Sequence, residues 1–301
     1  MNFDLTDLRL FAAVAREANL TRAARLQHLS LAAASARIKA LEQHAGVALL
    51  EREARGVRLL PAGEAFLHHV RSMLRDAQAL RDELNEYGAG TRGHVRVFAN
   101  TTAVTEFLPE ILAGFFKSHP GVNIDLREKP NPEIANGVLE GRADVGIVAG
   151  EQDTRGLRAI HFSTDHLVLV VPRGHALARR KRVAFADTLA EEAVGMHEGS
   201  TLQAFLANIT EELGHKLKLR IQVYGFDAMC RMIASGVGVG IVPESAARRN
   251  IATLDLVQVE LTDAWRVRRR YILLRESDVL ATYARALVQT ICTHYQCGVR
   301  I

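Results

Sequence analysis

The side chains with most chemistry to offer in this 301-residue chain are the bases and hydroxyls between Ala18 and Leu60. Arg22, Arg25, Arg37, Lys39, Arg52, Arg55 and Arg58 face only Glu42, Glu51 and Glu53 in that stretch. A local surplus of cations is the footprint of a phosphate-contacting module, although a solvated basic face has the same composition. Ser30 can cap a helix while its hydroxyl and the helix's free N–H groups meet phosphate. Leu31, Ala32 and Ser35 would then lie on exposed first turns, where small apolar groups touch thymine methyls. Arg37 carries the fork that bonds guanine O6 and N7. Thr21, Arg22, Lys39, Arg52 and Arg55 complete the candidate contacts to double-stranded DNA. Helix propensity alone would also select Ala32, Ala33 and Ala34.

A second set of polar residues sits where strand patterns run into helix patterns. Asn100, Thr101 and Thr102 follow one such strand, and His197, Ser200 and Thr201 follow another. Phe226 precedes a third helix, and Val148 and Ala149 end a buried strand. Ligands bind open α/β sheets at such ends, where free N–H groups favour anions. The expected ligand is a small organic molecule, and an anionic one suits these groups. Local N-capping accounts for the same residues without a ligand.

Catalytic chemistry has no comparable footing. GxSxG, HExxH and P-loop motifs are absent, and no carboxylates pair at a defensible spacing. The run from Gly236 to Gly240 is GxGxG and precedes a strand, so it is not a dinucleotide site. Cys292, His294 and Cys297 lack a fourth ligand and lie in an apolar helical pattern. No enzyme, cofactor or metal is expected.

These groups need elements to hold them. Residues 4 to 17 read as a helix, with Leu8, Phe11, Val14 and Ala15 on one stripe. Thr21 and Ser30 read as N-caps of two further helices, the second ending at Gly46. Two helices joined by a tight turn make a helix-turn-helix. Val47 to Leu60 reads as a hairpin, which in that place is a wing. A long helix follows from about Ala62 to Tyr87. Its apolar residues Phe66, Val70, Met73, Ala77, Leu80, Leu84 and Tyr87 alternate steps of four and three. That is a coiled-coil dimer seam, or the stripe of a helix packed on its own domain; the expectation is a dimer. A glycine-rich hinge leads to alternating strands and helices with a mainly parallel sheet, in two α/β lobes. A single helix is expected from Thr102 to Ser118.

Net charge is +4, and the three cysteines are too scattered for a disulfide framework. Acids near Met1 and the want of an apolar run argue against a signal peptide or a membrane span. The protein is expected in the cytoplasm, associated with the nucleoid.

The chain resembles the LysR-type transcriptional regulators along essentially its whole length. The resemblance rests on Leu20-Thr21-Arg22-Ala23-Ala24, Ser35-Ala36-Arg37-Ile38-Lys39-Ala40-Leu41-Glu42 and Gly46-Val47-Ala48-Leu49-Leu50-Glu51-Arg52. In the second half it rests on His119-Pro120-Gly121-Val122, Gly141-Arg142-Ala143-Asp144-Val145-Gly146-Ile147 and the stretch from Ile233 to Pro243. It departs at Leu31 and Ala32, where the family often has Gln-Pro, and at Ala36, where it often has Arg. The resemblance implies an α/β protein overall, with three parts. Residues 1–60 form a winged helix-turn-helix, and 61–90 a dimerising linker helix and hinge. Residues 91–301 form a periplasmic-binding-protein-like effector domain, with one lobe of about 91–163 and 267–301 and another of about 164–266. It also implies a tetramer built as a dimer of dimers, and RNA polymerase is a candidate partner. Thr102 resembles the family's effector-contacting hydroxyl. An α/β enzyme with an added DNA-binding domain, a solute-binding protein and a ligand-blind architectural DNA protein are the rival readings.

Overall fold

A computed structural model describes residues 3–53, 56–89, 93–150, 153–276 and 280–298. The chain forms two compact units, Met1–Gly90 and Thr91–Ile301.

The first unit begins with α1, Leu5–Glu17. Asp4 and Asp7 close a capping box: each carboxylate accepts the other's backbone N–H, at 2.8 and 3.0 Å. Helix α2 is Leu20–Leu26, and its cap is Asn19, whose Oδ1 accepts the Arg22 N–H at 3.0 Å. Thr21 therefore sits inside the first turn and is not the cap. Helix α3, Leu31–Ala45, is capped as expected by Ser30 and ends at Gly46 in the left-handed region. Leu8, Leu10, Phe11 and Val14 meet Ala23, Ala24, Ala34, Ile38 and Leu41 in one core. Alanines let the three helices approach closely.

Strands β1, Leu50–Glu53, and β2, Gly56–Leu59, pair antiparallel as the wing. Glu42 of α3 anchors it by accepting the backbone N–H groups of Leu49 and Leu50 at 2.9 and 3.0 Å. At Gly56 a Cβ would stand 2.4 Å from the Ala18 carbonyl, so only glycine lets β2 return to the end of α1.

Helix α4, Pro61–Ala89, is 29 residues long. Its apolar seam divides in two. Val70 is buried in the helix-turn-helix core, and Phe66 lies edge-on to Phe11 at 5.1 Å. Met73, Leu80 and Leu84 are exposed, and Ala77 is half-buried. The side chain of Tyr87 lies outside the described residues.

The second unit contains, in order, β3 Gly93–Ala99, α5 Thr101–Glu106, α6 Leu108–Ser118, β4 Val122–Glu128, α7 Asn131–Leu139 and β5 Val145–Ala149. There follow β6 Leu157–Pro172, β7 Arg182–Val183, α8 Phe185–Thr188, β8 Ala193–Met196, α9 Thr201–Glu212, β9 Leu219–Val223 and α10 Phe226–Ala234. The unit closes with β10 Gly240–Pro243, α11 Glu244–Ile251, β11 Leu256–Leu261, β12 Val267–Arg275 and α12 Thr282–His294. The expected helix from Thr102 to Ser118 is thus two helices, broken at buried Phe107, whose φ is −138°. Phe107 turns inward onto Phe162 and Tyr295.

The sheet is mixed, which corrects the mainly parallel expectation. Strand β3 runs parallel to β4 and β5, but β12 is antiparallel to both β5 and β6. Strand β6 is 16 residues long. Residues Leu157 to His166 pair with β12, and Leu167 to Pro172 with β10 and β11. Strands β6 and β12 therefore tie together two lobes with separate cores. One core gathers Val95, Val97, Phe115, Ile147 and Leu287. The other gathers Val168 to Val171, Phe185, Phe226 and Ile233. Strands β8 and β9 form a small parallel sheet on the second lobe.

Candidate functional site

In the first unit the candidate site is the outer face of α3. Residues one step apart on a helix differ by about 100°, so Ala32, Ala36, Lys39 and Gln43 share one stripe, and all four are exposed. Leu31 is half exposed at 50%, and Ser30 is exposed beside it. The opposite face is buried through Ala34, Ile38 and Leu41. Gln43 was not picked out from the sequence; its place on the stripe, eleven residues after Ala32, was the available signal.

Arg37 lies about 140° round from Ala32 and turns toward α1. Its Nη1 reaches Asp7 at 2.7 Å and Asp4 at 3.2 Å. The Asp4 carboxyl is held below its ordinary value, chiefly by the Asp7 backbone N–H and also by Arg37. The guanidinium expected to read guanine is thus engaged within its own domain. Thr21 and Arg22 are exposed on α2, and the Arg22 Nη2 donates to the Glu17 carbonyl at 2.7 Å. In the wing, Arg58 pairs with Glu51 and Glu53. Arg55 and the side chain of Arg52 lie outside the described residues.

In the second unit a narrow cleft opens between the lobes. It is lined from the first lobe by Asn100, Thr101, Thr102 and Ala149, and from the second by Ser200, Thr201, Leu202 and Pro243. The crossing strands add Asp165, His166, Leu167, Arg268 and Arg270. Six of the nine sequence candidates are there. Val148 is not: it points to the other face of β5, against Phe98 and Ile134. Phe226 is core, at 1% exposure, and His197 stacks on Tyr224 at 4.4 Å.

Several of the lining groups are already committed. Asn100 caps α5 and donates to Asn131 Oδ1 at 3.2 Å. Asn131 donates through Nδ2 to the Ala149 carbonyl at 2.8 Å. Its backbone N–H reaches Thr201 Oγ1 across the cleft at 3.0 Å. Thr101 donates to Glu128 at 2.6 Å. The arginines of β12 were missed from the sequence, although period-two spacing places Arg268 and Arg270 on one strand face. Arg268 lies over the Phe205 ring at 4.1 Å and donates to the Ala149 carbonyl at 3.2 Å. Gly150, at φ +87°, makes room for it: a Cβ there would fall 2.3 Å from its Nη2. Arg270 pairs with Asp165 and lies over Phe107 at 4.8 Å.

A second bridge joins the lobes at the far end of α5. Arg249 of α11 reaches Glu106 at 3.2 Å and Asp227 at 2.8 Å. Burial pushes the Glu106 carboxyl up despite Arg249, because that guanidinium is held most strongly by Asp227. Among the described residues no three His, Cys, Asp or Glu side chains gather as a metal site, and no helix is long and apolar enough to cross a membrane.

Residues 5–64 match the family described as "Bacterial regulatory helix-turn-helix protein, lysR family", and residues 88–296 match "LysR substrate binding domain". A probable RuBisCO transcriptional regulator of Trieres chinensis is 31% identical over 268 residues, covering 86% of this chain and 87% of that protein. Full-length CbnR, solved with its target DNA, is 25% identical with a TM-score of 0.51, covering 96% of this chain and 98% of CbnR. The regulatory domain of CcmR from Synechocystis PCC6803, solved with 2-PG, is 19% identical with a TM-score of 0.60, covering 67% of this chain and 97% of that domain. The last likeness is one of fold.

Proposed function

The chain belongs to the LysR family of transcriptional regulators, and from that premise we propose how its parts divide the work. It is a DNA-binding regulator with an effector-binding C-terminal domain, and not an enzyme. Residues 1–60 hold the DNA and 61–90 join two copies of the chain. Residues 91–301 take a small organic effector in the cleft between a lobe of about 91–163 and 267–301 and a lobe of about 164–266. We place this regulator in the cytoplasm, at the nucleoid, where a bacterial-type helix-turn-helix protein meets its DNA.

The outer face of α3 carries this reading. Its stripe of Ala32, Ala36, Lys39 and Gln43 is slim enough to enter a major groove while Ala34, Ile38 and Leu41 hold the helix in its core. Ser30, Leu31, Ala32 and Ser35 meet base edges and phosphates at the N-terminal end. Thr21, Arg22, Lys39, Arg52 and Arg55 position the domain on the backbone. Arg37 supports α3 from behind. The exposed half of the α4 seam, Met73, Ala77, Leu80 and Leu84, takes a second copy of the same helix, and two such dimers make a tetramer. Effector binding shifts the balance of lobe closures, and this changes the spacing of the DNA-binding pairs.

Genome-wide binding-site mapping followed by footprinting tests the reading. The expected result is a discrete operator with half-sites spaced by whole helical turns, about 34–36 Å each. Uniform binding with no preferred site would overturn it.

A further inference from the structure

The second lobe holds a cavity of its own, on the other side of α9 from the cleft. It lies among α8, β8, α9, α10 and β10 and contains about 490 Å³ of empty space, against about 440 Å³ in the cleft. Small-molecule sites run from roughly 300 to 1,000 Å³. Leu202 of α9 lines both spaces. The walls of the second are core side chains, among them Phe185, Met196, Leu206 and Met229, none more than 6% exposed. Two glycines set their spacing. A Cβ on Gly195 would stand 2.6 Å from Leu219 Cδ2 and 2.7 Å from Gln203 Oε1, and one on Gly240 would stand 2.4 Å from Met229 Cε. A side chain at either position would have to displace a lining group.

Gln203 is the polar group this cavity leaves unmatched. It is 6% exposed, and its Oε1 accepts the Met196 backbone N–H at 3.0 Å. Turning the amide over would set its NH₂ against that N–H, donor to donor, so the orientation is fixed. Its Nε2 meets no acceptor among the described residues. Buried donors in this state are costly and rare in native proteins. The neighbouring Thr188 hydroxyl already donates to the Phe185 carbonyl at 2.7 Å. Two charged residues complete the lining, half-buried Glu191 and exposed Lys218, and their signs oppose. Lys218 Nζ is held by the Ala190 carbonyl at 2.8 Å. An ion would therefore lose its hydration against apolar walls with little in return.

We propose that the cavity inside the second lobe is a further ligand site, separate from the cleft, for a compact neutral molecule that is mainly apolar and carries one acceptor oxygen. Gln203 Nε2 donates to that oxygen, and the walls take the apolar body. Phe185 offers a ring, and Met196 and Met229 are unbranched and adapt to the ligand's outline. An aromatic or alicyclic ketone has this chemistry.

The test uses the full-length chain with acetophenone, with ethylbenzene, which has a similar shape and no oxygen, and with benzoate. Calorimetry should show saturable binding of acetophenone, about tenfold tighter than of ethylbenzene, and no displacement of acetophenone by benzoate. In NMR spectra of the chain carrying methyl-labelled methionine, acetophenone should shift the Met196 and Met229 signals and leave that of Met73, on α4, in place. Gln203→Glu keeps an acceptor for the Met196 N–H but removes the amide donor, and should bring acetophenone down to the affinity of ethylbenzene. Ala193→Leu enlarges the smallest side chain in the lining; it should abolish binding of both neutral probes without lowering the unliganded Tm. Absence of saturable binding, equal affinity for the two neutral probes in the unaltered chain, or displacement by benzoate overturns the proposal. So do Met196 and Met229 signals that stay in place, and acetophenone binding undiminished in Ala193→Leu. The probe comparison and the methyl signals decide the matter even where a cavity variant fails to fold.

Discussion

Arg37 shows how far a residue's chemistry depends on its direction. A guanidinium in the first turns of a recognition helix suits guanine, yet this one closes on Asp7 and Asp4 at the start of α1. It links α3, the helix proposed to enter the groove, to α1, which packs against it. Removing it should therefore loosen α3 rather than relax a base preference. Arg37→Ala is expected to weaken binding to operator and to unrelated DNA by similar factors, and Asp7→Asn should have the same direction of effect. Competition gel shifts on operator variants distinguish the roles: loss confined to one base position would restore Arg37 as a reader. The brace also has a pH sense. In the folded chain the Asp4 carboxyl is held below its ordinary value, first by the Asp7 backbone N–H and then by Arg37. Its contribution is complete at neutral pH and disappears as pH falls through that lowered value. Ser30 and Gly46 needed no such neighbour: a cap and a stop are local, and both were legible in the sequence. The direction of Arg37 depends on acids about thirty residues earlier, which periodicity does not report.

Elements were legible to the extent that their signals were local. Helices α1, α3 and α4 declared themselves by caps and stripes. The break at Phe107 did not, because Leu108, Ile111 and Phe115 carry the apolar period on through it. The first half of β6 was missed because exposed Arg158, His161 and Thr164 break up the apolar run of Leu157, Ile160 and Phe162 that packs in the first lobe. Arg268 and Arg270 became a pair in the cleft only once β12 had crossed to β6, about a hundred residues away. In α4 the helix was legible, but the structure divides its apolar seam. Phe66 and Val70 complete the helix-turn-helix core, and Met73, Leu80 and Leu84 stay exposed at 43%, 56% and 60%. Three large apolar side chains at that spacing suit a second copy of the helix better than water. Leu80→Glu with Leu84→Glu should convert the protein to monomers in analytical ultracentrifugation, with far-UV circular dichroism unchanged. Operator affinity should fall at least a hundredfold as the second half-site is lost. Dimers persisting in the double variant would move the interface elsewhere.

At the scale of the effector-binding unit, two lobes with separate cores are joined by β6 and β12, and the cleft lies beside that crossing. Two lobes on two strands can close by small rotations that leave each core intact. The bond from the Asn131 N–H to Thr201 Oγ1, at 3.0 Å, crosses the cleft and reports the closed arrangement. The intervening bond lengths add to about 7.4 Å, and the bends at the amide nitrogen, the hydroxyl oxygen and Cβ shorten the Cα separation to below about 7 Å, the outer limit for a disulfide. Asn131→Cys with Thr201→Cys should therefore form a crosslink on oxidation, seen as a mass loss of about 2 Da from two thiols joining. The crosslinked protein is expected to keep its DNA affinity but hold a single footprint length and bend angle. The reduced protein should show a different footprint or bend, since its lobes are free to open. Reduction should interconvert the two, which separates closure from any side effect of losing the Asn131 amide. Identical footprints and bends in the oxidised and reduced forms would mean that lobe closure is not the switch, and that the effector acts on DNA geometry by another route.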